Sequence, residues 1–252
     1  RGLGDVYKRQ VWALTRQVRA GQFVPEKFEV TFDELEGKES LEYRLSHDVT
    51  MRLEGRIDRL DTFEDENKIS IKVIDYKSGN TKFDLIRVYR GLQLQRCVYM
   101  DAAMEMLRGQ HPKKEILPGG ILYYHIDDPV LESDTPLSDE EAEQALLFAL
   151  RPDGLVNSGE EIYRAMDQNF EGKSQMIPVE IKKNGEISAA RSKVASTEEF
   201  AVITRYVEHE IRQCGEAIYA GNIAVNPYRS DIETSCTYCP CLLYTSDAAD
   251  EL

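Results

Sequence analysis

The chain of 252 residues lacks several features that define large classes of protein. It has no apolar run long enough to cross a bilayer, which argues against helical membrane spans. Its five cysteines are not spaced as a disulfide framework, and this fits a reducing compartment, so the cytoplasm is the expected location. No glycine-rich loop of the phosphate-cradling kind is present, so no ATP site is expected.

Basic residues are also in the minority, with 31 Lys and Arg against 45 Asp and Glu and a formal charge of -14. Phosphate binding normally leaves a basic footprint, so this balance argues against a nucleic-acid protein. Residues 49–100 differ from the rest, because ten basic side chains there outnumber eight acids. Either this stretch faces an anionic partner, or its cations belong to a solvated surface. The acidic surplus elsewhere would suit docking to a partner protein.

The two ends have an unusual relation at the nucleotide level. Residues 5–10 can be encoded by a string whose reverse complement, read one base along, encodes residues 241–245. An inverted repeat flanking a coding region resembles a sequencing adapter read through in frame. We therefore expect residues 1–10 and 241–252 to be adapter-derived, and the chain between them to be an interior fragment.

Periodicity and turn residues predict an α/β fold. Alternating apolar residues predict strands of a mixed sheet at 28–32, 41–45, 49–63, 69–76 and 119–126. Helical spacing predicts helices at 11–20, 90–107, 138–150 and 160–167, and a long helix that begins after Ser196 and ends at Gly221. Ser138 with Glu141, and Ser196 with Glu199, have the spacing of capping boxes.

Two acids and a lysine stand at the ends of alternating runs in two of these strands. Asp58 lies in the run GRIDRLD and Asp75 in IDYKSG, seventeen residues later. Because residues i and i+2 of a strand share a face, Asp75 and Lys77 are expected to point the same way. A carboxylate beside an ammonium group can hold Mg²⁺ and stabilise charge on a phosphate. Taken singly, either acid could instead be a solvent-facing residue paired with Arg56, Arg59 or Lys77.

The ordered series GRIDRLD, VIDYKSG and residues 91–95, with Tyr99 four residues after Gln95, resembles the RecB-type branch of the PD-(D/E)XK nucleases. Residues 119–129, 163–167 and 227–240 extend the resemblance to the B subunits of AddAB-type helicase-nucleases, over roughly residues 20–240. The resemblance implies a nuclease core at 11–130 with a mainly helical extension at 131–240. It also implies DNA as substrate, the A-type subunit of such a helicase-nuclease as partner in a heterodimer, and exonuclease action on the strand that ends 5′ in break repair.

The resemblance also implies roles for particular residues. Asp58 and Asp75 would hold Mg²⁺ with the carbonyl of Tyr76, and Lys77 would orient the attacking water. Glu29 matches the upstream acid of the family and would be a further Mg²⁺ ligand, with Glu26 and Glu54 as alternatives. Gln95 would reach the metal site or a DNA phosphate, and Tyr99 would support the helix or the lysine; a core tyrosine is the alternative for Tyr99.

The last motif is Cys236-Thr237-Tyr238-Cys239-Pro240. A bare CxxC is compatible with zinc, with a redox pair or with chance. The resemblance implies that Cys236 and Cys239 are two of the four ligands of a [4Fe-4S] cluster. The other two ligands are missing from this sequence, since Cys97 and Cys214 lie in predicted helices and the last would fall in the adapter-derived end.

Two other functions remain open at this point. One is a DNA-clamping iron-sulfur scaffold without catalytic activity, which the presence of Asp58, Asp75 and Lys77 disfavours. The other is a Cas4-type single-chain nuclease, for which residues 129–222 are longer than needed.

Overall fold

The computed structural model describes residues 3–32, 42–79, 82–126, 128–131, 136–229 and 234–238. The chain forms two compact units, Arg1–Arg212 and Gln213–Leu252. No helix in these ranges is long and apolar enough to cross a membrane.

The first unit is built on a six-stranded mixed sheet in the order β1-β4-β5-β6-β7-β8. The strands are β1 (Val24–Thr31), β4 (Arg56–Glu64), β5 (Lys68–Lys77), β6 (Glu115–His125), β7 (Asp153–Asn157) and β8 (Val194–Ala195). Strands β5 and β6, and also β7 and β8, pair in parallel, whereas the other neighbours are antiparallel. A separate two-stranded sheet contains β2 (Glu42–Arg44) and β3 (Thr50–Arg52).

Helices cover both faces of the large sheet. One core contains Ile71, Val73 and Leu60 from the sheet and buried residues of α3 (Gln95–Gln110) and α6 (Thr197–Tyr219). The other contains Ile74 and Leu122 with residues of α5 (Glu160–Met166), and α1 (Leu3–Ala20) adds Leu14 to it. The expected mixed sheet flanked by helices is confirmed, but the strands predicted in it at 41–45 and at the start of 49–63 form the separate two-stranded sheet instead.

The remaining helices are α2 (Leu85–Tyr89) and α4 (Asp139–Ala149). The capping box at Ser138 is confirmed, because its hydroxyl accepts from the Glu141 N–H at 3.3 Å while the Glu141 carboxylate accepts from the Ser138 N–H at 2.9 Å. Ser196 and Glu199 make the same reciprocal pair at the start of α6. The segment after residue 131, predicted as mainly helical, also supplies β7 and β8 to the sheet.

Several boundaries differ from the prediction: α1 begins at Leu3 rather than at residue 11, β1 at Val24 rather than at 28, and β6 at Glu115 rather than at 119. Residues 49–63 were expected to form one strand, but β3 ends at Arg52 and β4 begins at Arg56. Gly55 lies in this break, and a Cβ there would come within 3.0 Å of the Phe32 ring and 3.2 Å of the Tyr99 ring. The helix predicted from residue 90 begins at Gln95 instead, after the separate short helix α2.

The second unit contains the end of α6 and a short 3-10 helix, Ser235–Tyr238. Arg229 and Thr234 form an isolated antiparallel bridge, and the Ser235 N–H donates to the Tyr228 carbonyl at 3.0 Å.

Candidate active site

Strand register brings the two predicted aspartates together on neighbouring strands. Leu60 of β4 pairs with Val73 of β5, and Arg59 pairs with Ile74. Continuing this register by one residue sets Asp58 across from Asp75. Because Leu60 and Val73 lie in the core beneath α3, alternation directs both aspartates to the side of the sheet that α3 covers.

Asp75 is buried and is held by two cations. The Lys77 Nζ and the Arg96 Nη2 each lie 2.9 Å from the same oxygen, Asp75 Oδ2. The expectation that Asp75 and Lys77 point the same way is thus confirmed. Lys77 remains 31% exposed at its side chain, so its ammonium group is reachable from solvent while it touches the acid.

Asp58 is half-buried and contacts the main chain of β5. Its Oδ2 accepts a hydrogen bond from the Tyr76 N–H at 2.8 Å. This bond fixes the Asp58 carboxylate beside the residue that follows Asp75 in the chain. The side chain of Tyr76 points to the opposite face, where its hydroxyl accepts from Arg59 at 3.3 Å, so only its main chain is available to this site.

Glu29 lies on the next strand outward. Phe28 pairs with Arg59 and Val30 with Ile57, so Glu29 stands across from Asp58. Its φ of 53° is in the left-handed region, which disturbs the alternation of β1 at this residue. Its carboxylate is 60% exposed and forms an ion pair with Arg56 Nε at 2.9 Å.

The alternative acid Glu26 accepts a hydrogen bond from the Thr62 hydroxyl at 2.8 Å. Glu54, the other alternative, is exposed in the break between β3 and β4.

Gln95 and Tyr99 contact each other in the first turns of α3, because residues four apart in a helix share a face. The Gln95 Nε2 donates to the Tyr99 hydroxyl at 2.6 Å. The Tyr99 ring is buried edge-on against Phe32, with centroids 5.4 Å apart. Burial raises the pKa of Tyr99, and the negative charge of Asp75 raises it further, so its phenol is protonated at neutral pH.

Arg96 is the residue at this site that motif reasoning missed. It lies between Gln95 and Tyr99, and its side chain is only 9% exposed. The sequence contained one signal for this role: Arg96 lies among apolar residues of a predicted helix. A charged side chain in such a place needs a buried partner of opposite charge.

The second aspartate of GRIDRLD faces away from this site. Asp61 is fully buried and takes two hydrogen bonds from Arg59, at 2.6 and 2.7 Å. Lys72 Nζ lies 3.0 Å from Asp61 Oδ2, the oxygen that also accepts from Arg59 Nη2. Arg59 therefore does not pair with Asp58 or Asp75. It pairs with Asp61, and both residues lie on the opposite face of β4.

The donors at the site are chemically suited to a hard divalent ion. Asp58, Asp75 and the Tyr76 carbonyl offer oxygen ligands of the kind that Mg²⁺ prefers. Within the described ranges, no three His, Cys, Asp or Glu side chains are grouped so as to hold a metal ion. Glu29 as a third ligand stays a prediction, because its carboxylate contacts Arg56 here.

The three described cysteines lie in different environments. Cys97 is buried in α3, Cys214 is exposed on α6 and Cys236 is half-buried in the 3-10 helix. Burial raises the pKa of the Cys97 thiol to about 12, which keeps it protonated. Cys239 lies outside the described residues. The three described thiols cannot by themselves form a four-cysteine site.

Comparisons with known proteins agree with this geometry. The chain is 38% identical over 238 residues to the B subunit of an ATP-dependent helicase/deoxyribonuclease of Thermoanaerobacter sp. (strain X514), covering 94% of this chain and 20% of that protein. Proteins of the same name from Clostridium botulinum and Lachnoclostridium phytofermentans are 36% identical over 234 residues and 38% identical over 244. Each match covers 93% of this chain and 20% of the relative.

The chain thus spans about a fifth of the length of these curated relatives. The profile of the PD-(D/E)XK nuclease superfamily matches residues 3–242, which include both aspartates, Lys77 and the whole six-stranded sheet. With the register that sets Asp58 across from Asp75 and the lysine beside it, this match means that the chain belongs to the PD-(D/E)XK nuclease superfamily.

Proposed function

We propose that the chain is the nuclease part of one subunit of a helicase-nuclease, and that it hydrolyses DNA phosphodiesters with the help of Mg²⁺ in the cytoplasm. The observation that carries this proposal is the cluster of Asp58, Asp75 and Lys77 at the ends of β4 and β5. Two carboxylates and an ammonium group on one side of two paired strands suit phosphoryl chemistry, in which positioning and charge stabilisation dominate. The names of the similar proteins support the same activity.

Each residue has a proposed part in the reaction. Asp58, Asp75 and the Tyr76 carbonyl would hold the divalent ion, with Glu29 as a further ligand. A bound divalent ion would neutralise the phosphate oxygens and make water more acidic. Lys77, anchored on Asp75 at 2.9 Å yet partly exposed, would orient the attacking water and stabilise charge added to the phosphate. Gln95, held by Tyr99, reaches towards a DNA phosphate.

The test is cleavage of linear duplex DNA by the chain with Mg²⁺, with EDTA and in the variant Asp75→Ala. We expect EDTA to abolish cleavage and Asp75→Ala to lower the rate by at least about 100-fold, as for loss of a metal ligand. Asp139→Ala is the matched control, because Asp139 is an exposed acid at the start of α4. Cleavage that persists in EDTA, or that both variants reduce equally, would contradict a metal-dependent site at Asp75.

Polarity and partner are further parts of the proposal. We propose digestion of the 5′-ended strand, which substrates labelled at one end or the other would distinguish by the order in which label is released. The names of the similar proteins describe them as subunits, which supports a second, helicase-containing chain as partner. Cys236 and Cys239 are proposed as two [4Fe-4S] ligands in the longer protein, and no step of the hydrolysis depends on them.

A further inference from the structure

A buried arginine touches the acid that we propose as a metal ligand. Arg96 Nη2 lies 2.9 Å from Asp75 Oδ2, and both side chains are less than one tenth exposed. Lys77 already supplies one cation to the same oxygen. Asp75 therefore carries two cationic partners on Oδ2 before any divalent ion binds.

Arg96 is fixed in this place by a second contact. Its guanidinium carbon lies 4.6 Å from the centroid of the Tyr123 ring, which is fully buried on β6. Tyr123 pairs with Asp75 in the sheet register, so the ring and the acid stand side by side beneath the arginine. Arg96 Nε is buried and has no hydrogen-bond partner among the described residues, so the charge of Arg96 is balanced mainly at Asp75.

These contacts have an electrostatic consequence for metal binding. Asp58, Asp75, Lys77 and Arg96 carry no net formal charge as a group, whereas the two aspartates with Lys77 alone would carry -1. A divalent ion that binds the aspartates must approach the guanidinium group, and like charges at this range oppose each other strongly where water is excluded. Arg96 must therefore lower the affinity of the acids for the ion.

The same contacts order the ligand. With Oδ2 held by two donors, the Asp75 carboxylate is restrained, and Oδ1 would be the oxygen left for a divalent ion. Groups that orient a metal-binding side chain in this way commonly affect catalytic activity as well as metal affinity.

We propose that Arg96 is a positioning residue that holds Asp75 by Oδ2 for coordination through Oδ1 and weakens divalent-ion binding. This inference rests on the proposed function and deepens it. It predicts that loss of Arg96 has opposite effects on two measurable quantities, tighter metal binding and slower cleavage. A residue that only supported the fold would weaken both together.

The experiment measures Mn²⁺ binding to the chain without DNA, from the electron paramagnetic resonance signal of free Mn²⁺. Arg96→Met replaces the charge by an apolar side chain of similar length that can pack on Tyr123. We expect its Kd for Mn²⁺ to fall roughly tenfold, as for removal of one nearby like charge. We expect kcat at saturating Mg²⁺ to fall roughly tenfold, because Asp75 is no longer oriented.

Two further variants make the test specific. Arg96→Lys keeps the charge but loses the planar guanidinium group and its stacking on Tyr123, so it should bind Mn²⁺ like the unchanged chain while losing activity.

Arg108→Met is the matched control, because Arg108 lies on the same helix, is exposed and pairs with Glu105 rather than with an acid of the site. It should change neither quantity. If Arg96→Met does not fold by circular dichroism, Arg96→Gln provides the same comparison.

The outcomes separate this inference from the proposed function. A chain that cuts DNA but whose Arg96→Met variant binds Mn²⁺ no more tightly than Arg108→Met overturns the role of Arg96 alone. A chain that neither binds Mn²⁺ nor cuts DNA overturns the proposed function and this inference with it. Tighter binding with slower cleavage in Arg96→Met, and not in Arg108→Met, supports both.

Discussion

At the scale of single residues, the motif GRIDRLD divides its two aspartates between opposite faces of one strand. Asp58 lies on the side covered by α3, and Asp61, three residues later, lies on the other side. An odd separation in a strand reverses the direction of the side chain, so this division follows directly from the pleat. Asp58 is therefore on the side of the candidate site, whereas Asp61 is buried on the opposite side of the sheet.

Asp61 contacts Arg59 and Lys72; Asp61 and Arg59 are buried, and the Lys72 side chain is only 13% exposed. Burial lowers the pKa of the Lys72 amine, an effect that the charge of Asp61 partly offsets. For Arg59 the balance is the reverse: burial lowers its pKa, but the hydrogen bonds and charge of Asp61 raise it by more. The carboxylate is thus what allows two cations to be buried at once.

The variant Asp61→Asn should therefore be strongly destabilised. It leaves two buried cations without a counter-charge, and breaking a buried ion pair by removing one partner costs about 3–5 kcal/mol. Urea unfolding followed by circular dichroism measures this loss. Glu66→Gln, an exposed acid in the neighbouring turn, is the control and should change stability by less than about 0.5 kcal/mol. Equal stability of the two variants would contradict the structural role of Asp61.

At the scale of elements, the features that could be predicted from the sequence are those that depend on residues close together in the chain. Both capping boxes, and the shared face of Asp75 and Lys77 on β5, depend on residues at most three apart, and these predictions are confirmed. Features that depend on distant chain segments were missed. The break at Gly55 depends on the rings of Phe32 and Tyr99, and the Arg96 contact depends on which strand lies beneath α3.

Gly154 is another element-scale feature that periodicity cannot reveal. Its φ of 149° is a conformation that residues with a side chain rarely adopt, and it pairs with Leu122 in the middle of the β6–β7 ladder. A Cβ on Gly154 would lie 2.0 Å from the Ile121 carbonyl oxygen. The strand that extends the sheet beyond β6 therefore requires glycine at this position.

We predict that Gly154→Ala lowers the free energy of unfolding by at least about 2 kcal/mol, through strain and clash with the β6 main chain. Thermal and urea unfolding measure the effect. Gly109→Ala is the matched control, since nothing lies within 4 Å of a Cβ at that position in α3. Replacing a helical glycine should stabilise the chain by about 0.5–1 kcal/mol. The two identical substitutions should therefore have opposite signs, and two effects of the same sign would be inconsistent with the strain at Gly154.

At the scale of the whole molecule, the formal charge of -14 opposes DNA binding, yet the proposed site requires it. Residues 49–100 are locally basic, since their cations outnumber their acids, so this stretch can attract DNA although the whole chain is acidic. Several of these cations are at the surface, including Arg56, Lys77 and Lys82. DNA is thus expected to contact a small basic area, while the acidic remainder repels the rest of the duplex.

Such an arrangement predicts weak DNA binding with a modest dependence on salt. If about three phosphates are neutralised, the slope of log K against log salt should be roughly -3, well below that of proteins with broad basic surfaces. Fluorescence anisotropy with a labelled duplex from about 50 to 200 mM salt measures this slope. Lys82→Glu, close in sequence to Lys77, should reduce the slope by roughly 1, as for loss of one phosphate contact. Lys183→Glu, in the exposed hairpin turn at residues 182–186, makes the same charge change and should leave the slope unaltered. Equal effects of the two variants would mean that net charge, rather than the local distribution, governs binding.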